Sequence, residues 1–290
     1  MTLLTWALGI ALLSPTAVQA PPDYPFAVKV TGKGKPIILI PGLACSGEVW
    51  DSTVAHFKDR YECHVLTLAG FAGQPPLKGD APFSETVVKG VAKYARDKNF
   101  DRPAVVGHSL GGFLAFKLAA AEPDLVGPVI GVDGFPAAAA VFMADATDAE
   151  RKGFADVFLK KYDDVKGDEF PKMMRDLFGP MLSGERLATV SKWAVASDPK
   201  TVAKAMRDVF TADTRPGLEK VKAPVVILGA YHDSQKQFLQ SKEEFEKRLK
   251  AQVEKSPAGK VVVRENCKHF IMYDEPQWMF EQMEAVLGKK

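Results

Sequence analysis

A chain of 290 residues with 47% hydrophobic and 26% charged content lies within the range of ordinary folding chains, which excludes a disordered, collagen-like or low-complexity protein. The 38 Lys and Arg stand against 36 Asp and Glu, a formal net charge of +2, and this near-balance argues against a nucleic-acid or anionic-membrane binder. The length permits one or two domains and a sizeable core.

Residues 1–20 contain no Asp, Glu, Lys or Arg, and their apolar run ends at Ser14-Pro15, with Val18-Gln19-Ala20 supplying small residues where a signal peptidase reads. The expectation is a signal peptide cleaved after Ala20 and a secreted or periplasmic protein with no stable membrane insertion afterwards. An apolar first helix kept as an anchor is the alternative. Phe26 to Val30 then alternate as a strand, and Lys35 leads into the continuous apolar run Pro36 to Ile40, the pattern of a strand buried on both faces. Helix is expected over Glu48 to Lys58, Phe83 to Lys98 and Leu110 to Ala121. Strands are expected over Cys63 to Leu68, Pro103 to Val106, Val126 to Val132, Pro224 to Leu228 and Lys260 to Arg264, with a last helix from Glu275.

Strand alternating with helix implies a doubly wound α/β fold around a mostly parallel sheet, with functional loops at the strand carboxyl ends. Residues 21–134 and 216–290 form this core. Between them, residues 135–215 show only helical pieces, broken at Gly167, Pro180 and Pro199, and read as an insertion. The mixed-sign run Glu243 to Arg248 reads as a solvated helix face.

The motif with the most chemistry in it is Gly107-His108-Ser109-Leu110-Gly111, which follows the strand Ala104 to Val106 and opens an Ala- and Leu-rich helix. A Ser on such a tight turn projects its hydroxyl beside a helix N-terminus, and the flanking glycines leave room for neighbouring backbone. A glycine-rich turn holding an ordinary capping Ser is the structural alternative.

On these residues the sequence resembles the α/β-hydrolase fold family over nearly all of the chain after residue 20. The resemblance extends to Pro41-Gly42-Leu43-Ala44 after an apolar strand, where relatives have His-Gly, and to Trp50. It departs at Thr67 to Gln74, where relatives often read Asp-x-x-Gly-x-Gly-x-Ser. It implies Ser109 as nucleophile and an oxyanion hole made by the N–H groups of Leu43 and Leu110. The family order of Ser, acid and His sets aside His56, His64 and His108, and the loop Asn266-Cys267-Lys268-His269-Phe270 matches the family's histidine loop, making His269 the base rather than His232. Asp233, after Val225 to Tyr231, matches the family's acid, with Asp133 at the end of the preceding strand as the alternative acid.

The same resemblance makes residues 135–215 a helical cap over the pocket, with Phe135, Phe142, Met143, Phe154, Phe158, Met173, Met174, Phe178 and Met181 as candidate lining. It places Cys45 and Cys267 at the catalytic end and Cys63 at the other, so a Cys45–Cys267 bridge is the one pairing to consider beside free buried thiols. The implied activity is serine hydrolysis of a carboxylic ester on a small-molecule acyl substrate, with no cofactor and no metal. Hydrolysis of an amide, thioester, lactone or C–C bond, or ligand binding by a protein that retains the triad, stays open.

Overall fold

The computed structural model describes residues 24–143, 146–163, 165, 168–182, 184–233 and 241–288. The proposed leader and the break at Gly167 lie outside them. Seven strands, β1 (Phe26–Gly32), β2 (Lys35–Ile40), β3 (Tyr61–Leu68), β4 (Ala104–His108), β5 (Val129–Val132), β6 (Val225–Tyr231) and β7 (Gly259–Glu265), make one sheet in the order β1-β3-β2-β4-β5-β6-β7. Only β1 runs antiparallel to its neighbour; the five other pairings are parallel. The central strands are apolar without alternation because helices cover both of their faces: β4, β5 and β6 are buried along their whole length.

The strand order positions the site. From β2 the chain first builds outward to β3, then crosses to the other side of β2 for β4, so β2 and β4 flank the point where the winding reverses. At such a point the crossovers leave on opposite faces and a crevice opens outside the strand carboxyl ends. Both Gly42-Leu43 and Ser109 follow these two strands.

The expected helix at Glu48 begins as a 3₁₀ turn (Gly47–Trp50) and continues as α1 (Asp51–Phe57). Next come α2 (Phe83–Asp97) and α3 (Leu110–Ala121). The first is amphipathic, burying Phe83, Val87, Val91 and Tyr94. The second is apolar nearly all round, and it is accordingly packed among β4, β5, α2 and the 3₁₀ turn Arg215–Lys220. Strand β5 starts at Val129, later than expected, because Pro128 has no N–H to give to a ladder.

Between β5 and β6 the described residues form α4 (Ala138–Phe142), α5 (Asp148–Asp163), α6 (Glu169–Phe178), α7 (Gly184–Val195) and α8 (Pro199–Thr211), with no strand among them. Pro180 falls between α6 and α7, and Pro199 starts α8, where Asp198 caps by accepting the Thr201 N–H at 2.7 Å. The segment packs α5 on α8 and α6 on α7, and α8 touches α2, α3 and α4.

Helix α9 (Lys242–Val253) follows β6, with α10 (Ile271–Asp274) and α11 (Pro276–Leu287) closing the chain. Much of the charged face on α9 is solvated as expected, but Arg248 reaches inward from it, accepting nothing and donating to Glu244 at 2.9 Å and to the Val141 carbonyl at 2.8 Å. That second bond ties α9 to the end of α4.

Candidate active site

Ser109 sits between β4 and α3 with φ 52° and ψ −118°, a conformation few L-residues adopt. Its own N–H donates to the Val132 carbonyl at 3.0 Å, and its carbonyl accepts from Phe113 at 3.1 Å, so both sides of the turn are held. Glycine is required around it. A Cβ at Gly107 would lie 2.0 Å from the Gly111 carbonyl oxygen, and one at Gly111 would lie 2.2 Å from that of Ile40. Across from the turn, a Cβ at Gly134 would meet the Ser109 carbonyl at 2.4 Å. The glycines thus allow three backbone segments to close around one serine.

The loop after β2 approaches from the other side. A Cβ at Gly42 would lie 2.8 Å from His108 Nδ1 and 3.3 Å from Ser109 Cβ, so only glycine lets Leu43 come this close. Leu110 is the first residue of α3, where an N–H has no partner within the helix. The expected oxyanion donors, Leu43 and Leu110, both line the same cavity as Ser109 and His269.

His269 lies in the loop after β7, and its Nδ1 is 2.6 Å from Asp133 Oδ2. The carboxylate on the imidazole is thus that of the alternative acid, Asp133, while the expected one, Asp233, is exposed beyond the end of β6. The reason is the length of β6. Gly229, Ala230 and Tyr231, expected as loop, stay in register with Val263, Arg264 and Glu265 of β7, and this carries the chain onward before Asp233. Asp133 instead follows β5 immediately, with φ 44°. Its N–H donates to the Leu228 carbonyl at 2.7 Å, and its Oδ1 accepts the Ala230 N–H at 2.9 Å. The carboxylate is 4% exposed and both oxygens are engaged, which is how a buried anion is kept in place.

His108, expected only as part of the turn, has a further contact. Its Nε2 lies 3.0 Å from the His269 carbonyl, an acceptor, so that nitrogen carries the proton and donates. The ring centroids of His108 lie 4.7 Å from His269 and 4.6 Å from Phe270. Burial, reinforced by the neighbouring His269, pushes the His108 imidazole well below its usual range despite the bond to the carbonyl, so it stays neutral. The buried His and the Gly42 packed on it were both visible as residues; their mutual contact was not, because nothing in the chain order places the loop after β7 beside the turn after β4.

A cavity of about 660 Å³ opens at Ser109, Asp133 and His269. Of the residues expected to line it, Phe135, Phe142, Met143, Phe154, Phe178 and Met181 do so. Met174, buried in the core, and Met173, packed against it, are not among the lining residues, which on α6 are Leu177 and Phe178 one turn further on, while the side chain of Phe158 lies outside the described part. Cys45, Cys63 and Cys267 are free, buried thiols, and burial pushes Cys45 up to about 12 and Cys63 up to about 11. Cys45 reaches the cavity wall as a small hydrophobe. Among the described residues no group of three or more His, Cys, Asp and Glu is gathered as a metal would need, and no helix is long and apolar enough to cross a membrane.

The chain resembles proteins named pimeloyl-[acyl-carrier protein] methyl ester esterase. One from Aliivibrio fischeri (strain MJ11) is 32% identical over 105 residues, 36% of this chain and 38% of that protein. Another, from Legionella pneumophila (strain Corby), is 25% identical over 198 residues, 68% of this chain and 75% of that protein. The chain thus spans about two fifths of the length of the first relative and three quarters of the second. Among solved structures, a hydrolase from Pseudomonas aeruginosa PA01 superposes with a TM-score of 0.74 at 13% identity, covering 91% of this chain and 94% of that one. A thermophilic esterase from Thermogutta terrifontis gives 0.70 at 19% identity over 90% and 92%. Both share the fold. The model of the alpha/beta hydrolase family matches residues 37–282, from within β2 through every later strand, and the chain belongs to that family.

Proposed function

We infer that the protein is a serine hydrolase of carboxylic esters in which Ser109 is the nucleophile, His269 the base and Asp133 the acid. The observation that carries this reading is the 2.6 Å bond from His269 Nδ1 to Asp133, made in the wall of the cavity that also holds Ser109 on its strained turn. With Nδ1–H committed to the carboxylate, Nε2 carries the free lone pair, the tautomer a general base needs. The names of the relatives, which are ester hydrolases, support the bond type.

In the first step Ser109 Oγ adds to the ester carbonyl carbon as its proton passes to His269 Nε2, and the carbonyl π pair moves onto oxygen. The N–H groups of Leu43 and Leu110 stabilise that oxyanion. Collapse expels the alcohol, which takes the proton from His269, and leaves an acyl-Ser109. Water then repeats the sequence, releasing the carboxylic acid and free Ser109. Asp133 keeps its charge throughout and steadies the imidazolium.

A fluorophosphonate probe tests the reading. It should label Ser109 in the wild-type protein and not in Ser109→Ala, and a 4-nitrophenyl ester should be turned over by the first alone. An unlabelled wild type that still takes up ester analogues reversibly would make this a ligand-binding member of the family. We also infer, from the residue pattern of Met1 to Ala20, that the chain is exported and cleaved, with residues 135–215 acting as the cap of the mature enzyme. Intact mass of the protein recovered outside the cytoplasm should correspond to a start at Pro21; a retained Met1 would favour an anchor.

A further inference from the structure

We propose that the cavity holds the acyl group of the ester, that this group is a long or bulky uncharged hydrocarbon, and that the site selects against acyl chains ending in a carboxylate. The proposal rests on the ester-hydrolase reading and specifies its substrate.

The volume of about 660 Å³ falls in the range of sites for whole small molecules, about 300–1,000 Å³, far more than an acetyl group fills. Its polarity is one-sided. Every described side chain that residues 135–215 contribute to the wall is apolar, with Phe142, Phe154, Met181, Met206, Val209 and Phe210 coming from four separate stretches of that segment. Phe113 extends the apolar wall from the core side. Apart from the Cys45 thiol, the ionisable residues of the described wall are His108, Asp133, His232, Lys268 and His269, from the carboxyl ends of β4 to β7 and the loops that follow.

An ester carbonyl must lie at Ser109, among those groups, so a chain attached to it is directed toward the apolar wall. There a terminal carboxylate would be stripped of water with no Lys or Arg among the described residues of that apolar wall to meet it. Lys268 is the only Lys or Arg among the described lining residues, and it adjoins His269, at the carbonyl end. Asp133 offers nothing further, since both of its oxygens are taken. The acyl group is assigned to the cavity rather than the alcohol because it stays bound through both chemical steps, whereas the alcohol must leave after the first. Met143, Met181 and Met206, being unbranched and adaptable, let the wall fit branched and aryl acyl groups as well as linear ones.

The experiment uses the full-length protein and three series kept below their aggregation concentrations: 4-nitrophenyl esters from acetate to decanoate, acetates of alcohols of the same lengths, and mono-4-nitrophenyl esters of dicarboxylic acids matched in length to the first series. The expected kcat/KM rises about fourfold per methylene in the first series until the cavity is filled, since each buried methylene contributes a fixed increment. It stays flat in the second. In the third it drops at least tenfold relative to the matched uncharged ester. Val209→Lys, at a half-buried position in the apolar wall, should abolish most of the gain for decanoate over acetate and relieve the penalty on the dicarboxylate ester, each read as a ratio of substrates within the variant. A flat first series, a gain only along the alcohol, or equal rates for charged and uncharged partners would overturn the proposal while fluorophosphonate labelling of Ser109 left the hydrolase reading standing. Absence of both labelling and turnover would overturn the two together.

Discussion

Two regions face each other across the cavity and are built on opposite plans. On the sheet side, the geometry is held by backbone. Of the seven non-glycine residues with positive φ among the described residues, Ala44, Ala72, Ser109, Asp133 and Asn266 lie in loops at the carboxyl ends of β2, β3, β4, β5 and β7. Such conformations persist only where the surroundings overdetermine them, and here they do so through glycine contacts and paired N–H and carbonyl groups. On the helical side, residues 135–215 show no positive φ outside glycine among the described residues, and the wall is made of Phe, Met, Leu, Val and Ala side chains. The difference teaches where each property resides. In the proposed mechanism the reacting atoms are placed by main chain that cannot be altered piecemeal, and the proposed selectivity is carried by side chains that can.

The sheet side should therefore break in large steps. Ser109→Ala is expected to lower kcat by about 10⁴-fold or more with the fold intact, because the nucleophile and its partners act as one unit. Thermal melting beside a steady-state assay checks both halves of that statement. Asp133→Asn follows, with kcat down by about 10³- to 10⁴-fold, since an amide cannot hold the required tautomer and charge on His269. Asp233→Asn should change kcat by less than about threefold, being an exposed change at a carboxylate other than the one bonded to His269. A larger loss at 233 than at 133 would return the acid to the end of β6.

The contrast between the two carboxylates also marks how far the sequence could be read. Continuous apolar runs at Ile37 to Ile40, Val105-Val106 and Val225 to Leu228 identify the central strands because burial on both faces leaves no polar alternation. The strand, turn and helix around Ser109 are legible because glycine at 107 and 111 answers a local steric need. The choice of acid depended on something not local: how many residues of β6 pair with β7 before the chain turns away. Helical spacing in residues 135–215 likewise announces apolar faces, yet it cannot say that Met174 faces the core while Met143 faces the cavity, since that is decided by the packing of α6 on α7 and α5 on α8.

Gly111→Ala sharpens the comparison at the level of stability. The new methyl would press on the Ile40 and Pro41 carbonyl oxygens, at 2.2 and 2.7 Å, and backbone at the end of β2 cannot step aside. A loss of about 3 kcal/mol is expected in urea denaturation. Activity should fall with it, since Ile40 leads directly into the loop of Leu43.

A smaller effect comes from acid. His108 is held neutral by burial and His64 is also lowered by burial, against the raising influence of Glu62. Both folded pKa values are depressed, so below the ordinary imidazole value the unfolded chain binds protons that the folded chain refuses. Stability is unaffected by these groups above about pH 6.5 and falls as pH drops below it, by up to about 1.4 kcal/mol per pH unit for each group. Urea denaturation at pH 7.5, 6.5 and 5.5 reads the slope. In His108→Gln it should be shallower by up to one proton's worth, and an unchanged slope would show that His108 does not resist protonation.

The smallest effect should have the opposite sign and lie on the helical side. Gly153 falls within α5, is exposed, and a Cβ built there meets nothing within 4 Å. A glycine in a helix interior surrenders more backbone freedom on folding than alanine does, and here no neighbour requires its absence of a side chain. Gly153→Ala should raise stability by about 0.5–1 kcal/mol and leave kcat/KM for a short ester unchanged. The same glycine-to-alanine change thus destabilises at 111 and stabilises at 153, because one methyl meets main-chain oxygen and the other meets solvent. Equal effects of like sign at the two positions would remove the distinction between a backbone-built catalytic side and a side-chain-built wall.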